Sequence, residues 1–266
     1  MCLLVLAWKT HPRYRLVVAA NRDEYHDRPA APLAPWPAPA DFLAGRDLRA
    51  GGTWMAIDRR RRFGIVTNFR DLVRAPPEAP SRGGLIPGYL AGGAAPGEYL
   101  DSLQGAAGGY GGFNLILADG ESLWYGSNRT QPFARALQPG IHGLSNELLD
   151  TPWPKLLRVR RGFEKWLRGG GSAENGDLFA LLGDRAPATD EEGLPSTGLS
   201  PNWERVLSSP FVLNESYGTR CSTVVAIEPA GGCYVAERRF APSGACTGET
   251  QYRLEPGEWP NPQASQ

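Results

Sequence analysis

The sequence predicts an α+β fold in which antiparallel sheets pack against helices. Apolar runs occur in neighbouring pairs joined by short turns, which is typical of β-hairpins and therefore of antiparallel sheets. Helical patterns lie mostly in the middle of the chain and strands return near its end, which separates helices from strands along the sequence. The sequence has neither GxGxxG after a first strand nor GxxxxGK[ST], so the common nucleotide-binding folds are not expected.

The first predicted hairpin consists of the runs "CLLVLAW" and "YRLVVAA", separated by a polar turn that contains Pro12. Both runs are almost continuously apolar, which predicts that both faces of this hairpin are buried. In a simple antiparallel register the start of the first strand lies beside the end of the second, so Cys2 is expected next to residues 20–23. The Pro- and Ala-rich segment "AAPLAPWPAPA" that follows is typical of an irregular, extended surface loop.

The next elements alternate between strands and short helices. Strands are predicted at 53–58 and 63–68, and the basic turn Arg59–Arg62 between them is expected to be an exposed hairpin tip without a nucleic-acid role. The segments "SRGGLIPGYLAG" and "PGEYLDSLQG" indicate short helices with glycine stops. The segment "GGFNLILADGESLWYGSN" indicates a third hairpin that turns at Asp119-Gly120.

The strongest helical pattern is "TPWPKLLRVRRGFEKWLRGGG", with Thr151 as the candidate N-cap and Pro152 in the first turn. Weaker helices are expected near 177–182 and 201–208, followed by the strands "CSTVVAIEP" and "GCYVAERRF". We therefore expect one domain over residues 1–255 and a loose C-terminal tail over residues 256–266.

Charge and cysteine content exclude several classes of function. The chain has 266 residues, with 28 Lys+Arg against 28 Asp+Glu, so it has no basic field for a nucleic-acid partner. No apolar stretch reaches about 18 residues and the first strand lacks the features of a signal peptide, which predicts no membrane span and a cytoplasmic location. The four cysteines have no CxxC spacing and there are three histidines, so no metal site is expected.

Four consecutive polar residues, Asn21-Arg22-Asp23-Glu24, end the second apolar run, where Cys2 is expected. Arg22 would lower the pKa of the Cys2 thiol by stabilising the thiolate. Removal of Met1 would also free the α-amine of Cys2, whose pKa of about 7.7–8.0 suits a general base near neutral pH, with Asp23 orienting its ammonium form. The alternative is that the four polar residues are simply a solvated strand end.

Several short blocks occur together with this arrangement. "MC" precedes an apolar strand that is followed by "NRDE", and then come "GGTW" at 51–54, "TNF" at 67–69, "SRG" at 81–83, "GFNL" at 112–115, "LSN" at 144–146 and "YGTRCSTV" at 217–224. Over roughly residues 1–255 the sequence therefore resembles the NRDE proteins, also called the transport and Golgi organisation protein 2 family. That family in turn resembles the cysteine branch of the N-terminal nucleophile hydrolases.

The resemblance implies an αββα sandwich of two antiparallel sheets between helical layers, and it implies roles for six residues. Cys2 matches the nucleophile, and the other five match the arginines, aspartate and asparagines that surround it: Arg22, Asp23, Asn68, Asn146 and Arg220. Each asparagine follows a strand, so its alternative role is to cap a turn. An amide N–H aimed at a developing oxyanion would instead contribute about 3–4 kcal/mol.

Other residues are expected to support this site. Glu24 would hold Arg22 or its loop, and Asn21, Asn114 and Asn128 are further polar candidates. Trp36, Trp54 and Trp124 would line an apolar acyl pocket or, alternatively, pack in the core. The remaining cysteines, Cys221, Cys233 and Cys246, are expected to be buried or inert thiols.

Three functions remain open at this point. The first is a hydrolase of linear amides that acts on a small-molecule amide or acyl substrate through a thioester at Cys2 and uses no cofactor. The second is a non-catalytic protein that binds haem or acyl-lipid or acyl-CoA groups, with Cys2 as a soft ligand of haem iron. The third is a globular protein in which Cys2 is incidental. The sequence fixes neither the substrate nor the oligomeric state.

Overall fold

A computed structural model describes residues 2–71, 78–189 and 193–260. Two antiparallel β-sheets pack face to face, and helices cover both outer faces, so the layers run helix, sheet, sheet, helix. This confirms the predicted α+β class and the αββα sandwich.

The first sheet carries the chain's N-terminal strand near one edge. Its strand order is β10-β1-β2-β11-β12-β13, and every neighbouring pair is antiparallel. The strands are β1 (Cys2–Trp8), β2 (Leu16–Tyr25), β10 (Gly140–Leu144), β11 (Tyr217–Ile227), β12 (Cys233–Phe240) and β13 (Cys246–Leu254).

The second sheet has its strands in the order of the chain, as a continuous antiparallel meander. The strands are β3 (Ala30–Pro35), β4 (Phe42–Asp47), β5 (Met55–Asp58), β6 (Phe63–Asn68), β7 (Phe113–Ala118), β8 (Leu123–Ser127) and β9 (Ala134–Ala136). The helices are α1 (Leu85–Ala91), α2 (Pro96–Gln104), α3 (Pro154–Arg168), α4 (Asp177–Leu182) and α5 (Pro201–Val206).

Alternation along the strands builds the layers. In β1, Leu4 and Leu6 face the core between the two sheets, whereas Leu3 and Val5 face α3 and α4. The second sheet divides in the same way, since Ile65 points to the inter-sheet core and Val66 to the layer of α1 and α2. Both faces of the first hairpin are therefore buried, as its continuously apolar strands predicted.

The Pro-rich segment after "NRDE" is more regular than expected. Residues Ala30–Pro35 form β3, which is the edge strand of the second sheet. An edge strand tolerates proline because one side of its backbone makes no ladder hydrogen bonds. The prediction of an irregular loop was therefore wrong for the first half of this segment. At the far edge of the other sheet, β13 was not predicted because its residues are mostly polar and exposed.

The basic turn Arg59–Arg62 is only partly exposed. Arg59 and Arg60 are exposed, but Arg61 and Arg62 are 4% and 9% exposed. Arg61 donates to the backbone oxygens of Gly231 and of the C-terminal segment, and Arg62 forms an ion pair of 2.7 Å with Asp58. The prediction of an exposed tip was thus wrong for two of the four arginines, which anchor neighbouring segments.

Helix α3 begins later than predicted. Trp153, not Thr151, occupies the N-cap position, and Pro154 is the first helical residue. A residue before proline is held in the extended region, so Pro154 prevents the helix from starting earlier. This start places Lys155 in the first turn, on the face that packs against the first sheet.

Candidate active site

The side chain of Cys2 lies at the end of the first sheet, between strand β1 and the second sheet. Cys2 is directly opposite Arg22 in the antiparallel ladder of β1 and β2, as the hairpin predicted. Cys2 forms no disulfide, and the residue as a whole is half-buried. On the other side of β1, the hydroxyl of Ser145 donates to the backbone oxygen of Cys2 at 3.1 Å, which fixes the start of the strand.

Cys2 lines a cavity of about 120 Å³ between the two sheets. The first sheet contributes Cys2 and the end of β2, and the second contributes Trp54 and the end of β6, including Asn68. The segment Ser81–Gly83 completes the cavity. Most of its lining is polar or charged, in contrast to the apolar acyl pocket that the tryptophans suggested.

The "NRDE" segment alternates between the two faces of the first sheet. Asn21 points towards the helices, where its amide donates to the backbone oxygens of Leu182 and Pro210 at 2.9 Å each. Arg22 lies on the same face as Cys2, and its guanidinium stacks 4.3 Å from the ring centre of Trp54. The carboxylate of Glu24 also borders the cavity, 3.9 Å from Arg22. Asn21 therefore anchors the helical layer, while Arg22 and Glu24 belong to the cavity.

Asp23 is almost completely buried, at 1% exposure. The Thr219 hydroxyl donates to its carboxylate at 2.7 Å, and the Tyr217 hydroxyl donates to its backbone oxygen at 2.8 Å. Burial raises the pKa of Asp23, and the charge of Lys155 and the hydrogen bond from Thr219 oppose that rise. The carboxylate is thus held in one orientation beside the start of β1.

The environment of the Cys2 thiol differs from the expected one. Burial raises the pKa of Cys2 above its ordinary value, the nearby carboxylate of Asp23 raises it further, and Arg22 lowers it. Arg22 lowers the pKa of the thiol as predicted, but burial outweighs this effect. A thiol with a raised pKa would need a base in order to act as a nucleophile.

The two predicted asparagines lie together, but only one reaches the cavity. Asn68 lines the cavity, whereas Asn146 is fully buried behind it. The Asn146 amide donates to the side-chain oxygen of Asn68 at 2.9 Å and to its backbone oxygen at 3.0 Å. The side-chain oxygen of Asn68 therefore accepts a hydrogen bond from Asn146, and the Nδ2 hydrogens of Asn68 remain available to another partner.

Asn114 supports the same region from strand β7. Its amide donates to Thr67 and to the backbone oxygen of Glu147, and its oxygen accepts from the Tyr125 hydroxyl at 2.7 Å. It holds the segment after β10 against the end of β6 and is not itself in the cavity. Asn128 accepts from the backbone of Phe113 and likewise stabilises a turn.

Arg220 and Trp36 are not among the residues that line the cavity. Arg220 donates through one nitrogen to the backbone oxygens of Tyr25, His26 and Arg28, at 2.8–3.2 Å, so it fixes the turn after "NRDE". Trp36 borders a different cavity of about 590 Å³ next to α1. Of the predicted tryptophans, Trp54 lines the Cys2 cavity, and Trp124 packs with the core beneath α2.

None of the other three cysteines is among the residues that line this cavity. Cys221 and Cys233 are buried, and burial raises the pKa of Cys233 to about 12. Cys246 is exposed on the edge strand β13. Within residues 2–71, 78–189 and 193–260, no group of three or more His, Cys, Asp or Glu side chains is arranged to hold a metal ion.

Arg82 was not predicted as a site residue, although it lies in the block "SRG" at 81–83. The backbones of Gly52 and Gly83 touch, since a Cβ on Gly52 would lie 2.4 Å from the carbonyl of Gly83. The Thr53 amide also donates to the Gly83 oxygen at 3.0 Å. These contacts place Arg82 among the residues that line the cavity with Cys2. The paired glycines of "GGTW" and "SRGG" are the sequence signal for this contact.

Asp23 also belongs to a group of charged residues on the helical side of the first sheet, and the sequence did not reveal the other three members. We call Asp23, Arg70, Lys155 and Glu204 the buried charge cluster; all four are less than a tenth exposed. Arg70 and Glu204 form an ion pair of 2.8 Å. Burial lowers the pKa of Lys155 to about 8, and Asp23 provides the strongest opposing charge. No described residue forms a hydrogen bond with the Lys155 ammonium.

The described residues include no helix long and apolar enough to cross a bilayer.

Comparisons with known proteins place the chain in a family. The sequence profile of the Transport and Golgi organisation 2 family matches residues 1–242. The chain is 30% identical over 271 residues to the mouse Transport and Golgi organization 2 homolog, an alignment that covers 94% of this chain and 97% of the mouse protein. It is 32% identical over 277 residues to the cattle homolog, covering 96% of this chain and 100% of that protein.

Two solved structures resemble the fold at low sequence identity. An N-acylethanolamine-hydrolyzing acid amidase ortholog from Caenorhabditis elegans aligns with a TM-score of 0.48 and 10% identity, covering 86% of this chain and 93% of that one. The C2A mutant of the conjugated bile acid hydrolase from Clostridium perfringens aligns with a TM-score of 0.47 and 7% identity, covering 96% and 92%. On the profile match and the full-length relatives, the chain belongs to the Transport and Golgi organisation 2 family.

Proposed function

We propose that this protein hydrolyses linear amides through a thioester on Cys2, after removal of Met1 has made Cys2 the N-terminal residue. The observation that carries the proposal is the pairing of Cys2 with Arg22 at a cavity that Asp23 and Asn68 also line. The nucleophile, a cation, a carboxylate and an amide donor thus border one small space. A solvated strand end would not bury Arg22 and Asp23 to this degree.

In the first half of the reaction, the Cys2 α-amine takes the proton of its own thiol while the sulfur attacks the amide carbon. The carbonyl oxygen becomes an oxyanion. The resulting ammonium then gives the proton to the leaving nitrogen, the C–N bond breaks and a neutral amine departs, leaving a thioester on Cys2. The raised pKa of the thiol fits this scheme, because no preformed thiolate is required.

The second half consumes water. The same α-amine accepts a proton from the water that attacks the thioester carbon, and the tetrahedral intermediate collapses with release of the carboxylic acid. The proton returns to the sulfur as the C–S bond breaks, so the enzyme recovers its thiol and free amine. The net reaction is amide plus water to acid plus amine, with no cofactor consumed.

Asn68 is the proposed donor to the oxyanion. Its side-chain oxygen is already bonded to Asn146, which orients its Nδ2 hydrogens away from that residue. Asn68 touches the cavity and Asn146 does not, so Asn68 acts on the substrate and Asn146 positions it. Asn68 and Asn146 therefore have different proposed roles, although the family resemblance gave both asparagines a place in the site.

Intact-mass measurement of the purified protein tests the premise. A mass lacking Met1 is expected, and retention of Met1 in all molecules would rule out the amine as the base. Hydrolysis of small anilides would then be compared between the native chain, Cys2→Ala and Cys2→Ser. We expect Cys2→Ala to abolish turnover, while unchanged turnover in that variant would refute the role of the nucleophile.

A chain with one glycine inserted between Met1 and Cys2 is the matched control for the amine. It keeps the thiol but blocks its α-amine in a peptide bond, provided that the inserted residue remains attached. Loss of activity comparable to that of Cys2→Ala is expected. Full activity in the inserted chain would point to another base.

Binding of haem or of acyl-lipid or acyl-CoA groups without catalysis stays a hypothesis. The Cys2 cavity is small and charged, unlike the apolar pockets that bury large ligands. The raised thiol pKa also disfavours the thiolate that haem iron would prefer. A haem titration that shifts the Soret band in the native chain but not in Cys2→Ala would support the binding function.

A further inference from the structure

The Cys2 cavity has a cationic character that the reaction scheme does not use. We propose that it binds a small anionic group of the substrate, a carboxylate close to the scissile amide, and that Arg82 is the residue that determines this specificity. The inference rests on the proposed hydrolase function, since it names the class of amide that the same site would accept.

The guanidinium of Arg82 has N–H donors that the described residues leave without a hydrogen bond. One terminal nitrogen of its guanidinium donates to the backbone oxygen of Gly112 at 2.8 Å, and no acidic side chain among the described residues forms an ion pair with it. The guanidinium is partly buried and borders the cavity. A planar guanidinium with unused N–H groups matches the two oxygens of a carboxylate.

Arg22 provides the second and independent observation. It is 6% exposed, and its Nη1 is buried without a hydrogen-bond partner. Its nearest carboxylate oxygen belongs to Glu24 and is 3.9 Å from Nη2, which is an ion pair without a hydrogen bond. A buried donor without an acceptor is unfavourable, so an oxygen supplied by a ligand would satisfy it.

The carboxylates that line the cavity do not neutralise the positive charges of Arg22 and Arg82. Arg28 is paired with Asp47 at 2.6 Å, and the single carboxylate of Glu24 lies between Arg28 and Arg22 at 3.8 and 3.9 Å. Asp23 borders the cavity too, but its carboxylate is hydrogen-bonded to Thr219 and balanced by Lys155. Three arginines therefore face two remaining carboxylates, and Arg82 is the cation in excess.

The size of the cavity limits what the anion can be. Its volume of about 120 Å³ is well below the roughly 300–1,000 Å³ of pockets for drug-sized ligands. A carboxylate a few atoms from the amide fits this space, and a long acyl chain does not. The carboxylate could belong to the acyl part or to the amine part of the substrate, and the chemistry of recognition is the same in both cases.

Two matched pairs of substrates test the proposal. The acyl pair is 4-nitrosuccinanilic acid and its neutral analogue with a terminal primary amide. The amine pair is N-butyrylglycine and N-butyrylglycinamide, with released amine measured after derivatisation. We expect the anionic member of at least one pair to be preferred by roughly tenfold or more in kcat/KM, and the preferred pair identifies the side that carries the charge.

Variants of Arg82 test whether this residue causes the preference for the anionic substrate. Arg82→Gln should lose roughly 10- to 100-fold in kcat/KM on the preferred anion, mostly through KM, with little change on its neutral partner. Arg82→Lys should recover part of the loss. Arg49→Gln is the matched control, because Arg49 is an exposed arginine paired with Asp27 outside the cavity, and it should change neither substrate.

Equal turnover of anionic and neutral members in both pairs would overturn the proposal while leaving the hydrolase function intact. So would an equal loss on both members in Arg82→Gln, which would make Arg82 a general stabiliser of the reaction. If the native chain hydrolyses none of the amides, calorimetry of succinate and N-butyrylglycine with Cys2→Ala decides separately. Binding that Arg82→Gln weakens would support the anion site, and no binding would refute it.

Discussion

The side-chain amide of Asn146 donates to both oxygens of Asn68, at 2.9 Å to the side chain and 3.0 Å to the backbone. Asn146 is fully buried, whereas Asn68 reaches the cavity that contains Cys2. Because the buried Asn146 amide already donates to its neighbour Asn68, it cannot also donate to a substrate oxygen. In the proposed mechanism, Asn68 is therefore the donor to the oxyanion and Asn146 holds Asn68 in place.

The two asparagines should consequently differ in their effects on turnover. Asn68→Ala removes the proposed oxyanion donor and should lower kcat by about 10²–10³-fold, in line with the loss of one such donor elsewhere. Asn146→Ala leaves the donor in place but loosens it, so a smaller loss is expected. Steady-state kinetics on one anilide would measure both.

Asn175→Ala is the control for this comparison, since Asn175 is an exposed asparagine far along the chain from both. It should behave like the native protein. A larger loss of kcat in Asn146→Ala than in Asn68→Ala, in variants with native circular dichroism, would contradict the assignment.

The pH dependence of kcat/KM separates the amine base from a preformed thiolate. Burial raises the pKa of the Cys2 thiol, so a mechanism that needs the thiolate would become faster up to and beyond about pH 9. A free α-amine titrates at about 7.7–8.0, and burial lowers this further. We expect a rise on the acidic side and a plateau from about pH 8. A rate that keeps increasing through the plateau region would favour the thiolate.

Much of the site follows from local pattern. Cys2 meets Arg22 because two consecutive apolar runs form a hairpin, and a short turn fixes the register. The pairing of Cys2 with Arg22 needed only two neighbouring strands and their order. Asn68 was identified through the family resemblance, because an asparagine at the end of a strand could equally cap a turn.

The rest depended on contacts between distant segments. Lys155 occurs in an amphipathic helix, where a lysine is expected in solvent, and only the packing of α3 on the first sheet buries it. Arg61 and Arg62 resemble any exposed basic turn until the C-terminal segment and α1 supply their acceptors. Arg82 reaches the cavity through a contact of two loops. Tertiary burial of long cationic side chains leaves no periodic signal in the sequence.

The contact of Gly52 with Gly83 allows a structural test of the Arg82 position. A Cβ at residue 52 would lie 2.4 Å from backbone atoms of Gly83, which cannot move aside as a side chain could. Gly52→Ala should therefore lower the free energy of unfolding by about 1–3 kcal/mol and raise KM for a carboxylate-bearing amide. Gly84→Ala is the control, because the Cβ it adds has no neighbour within 4 Å. Equal effects of the two substitutions in chemical denaturation and kinetics would refute the role of the contact.

The buried charge cluster gives the protein a titration that should be visible in its stability. Burial lowers the pKa of Lys155 from 10.5 to about 8, so between these values the unfolded chain holds a proton that the folded chain has lost. The contribution of Lys155 to the free energy of unfolding therefore rises with pH between about 8 and 10.5, and it does not change with pH below about 8. The full rise corresponds to about 3 kcal/mol.

Lys155→Met removes this titration while keeping a side chain of similar length in the same buried position. The difference in unfolding free energy between the native chain and the variant should change with pH by up to about 3 kcal/mol between pH 8 and 10.5, always in the direction that favours the native chain at higher pH. Taking the difference cancels the tyrosines and cysteines, which titrate in both proteins. Urea denaturation at four pH values measures it, and a difference independent of pH would show that Lys155 keeps its ordinary pKa in the fold.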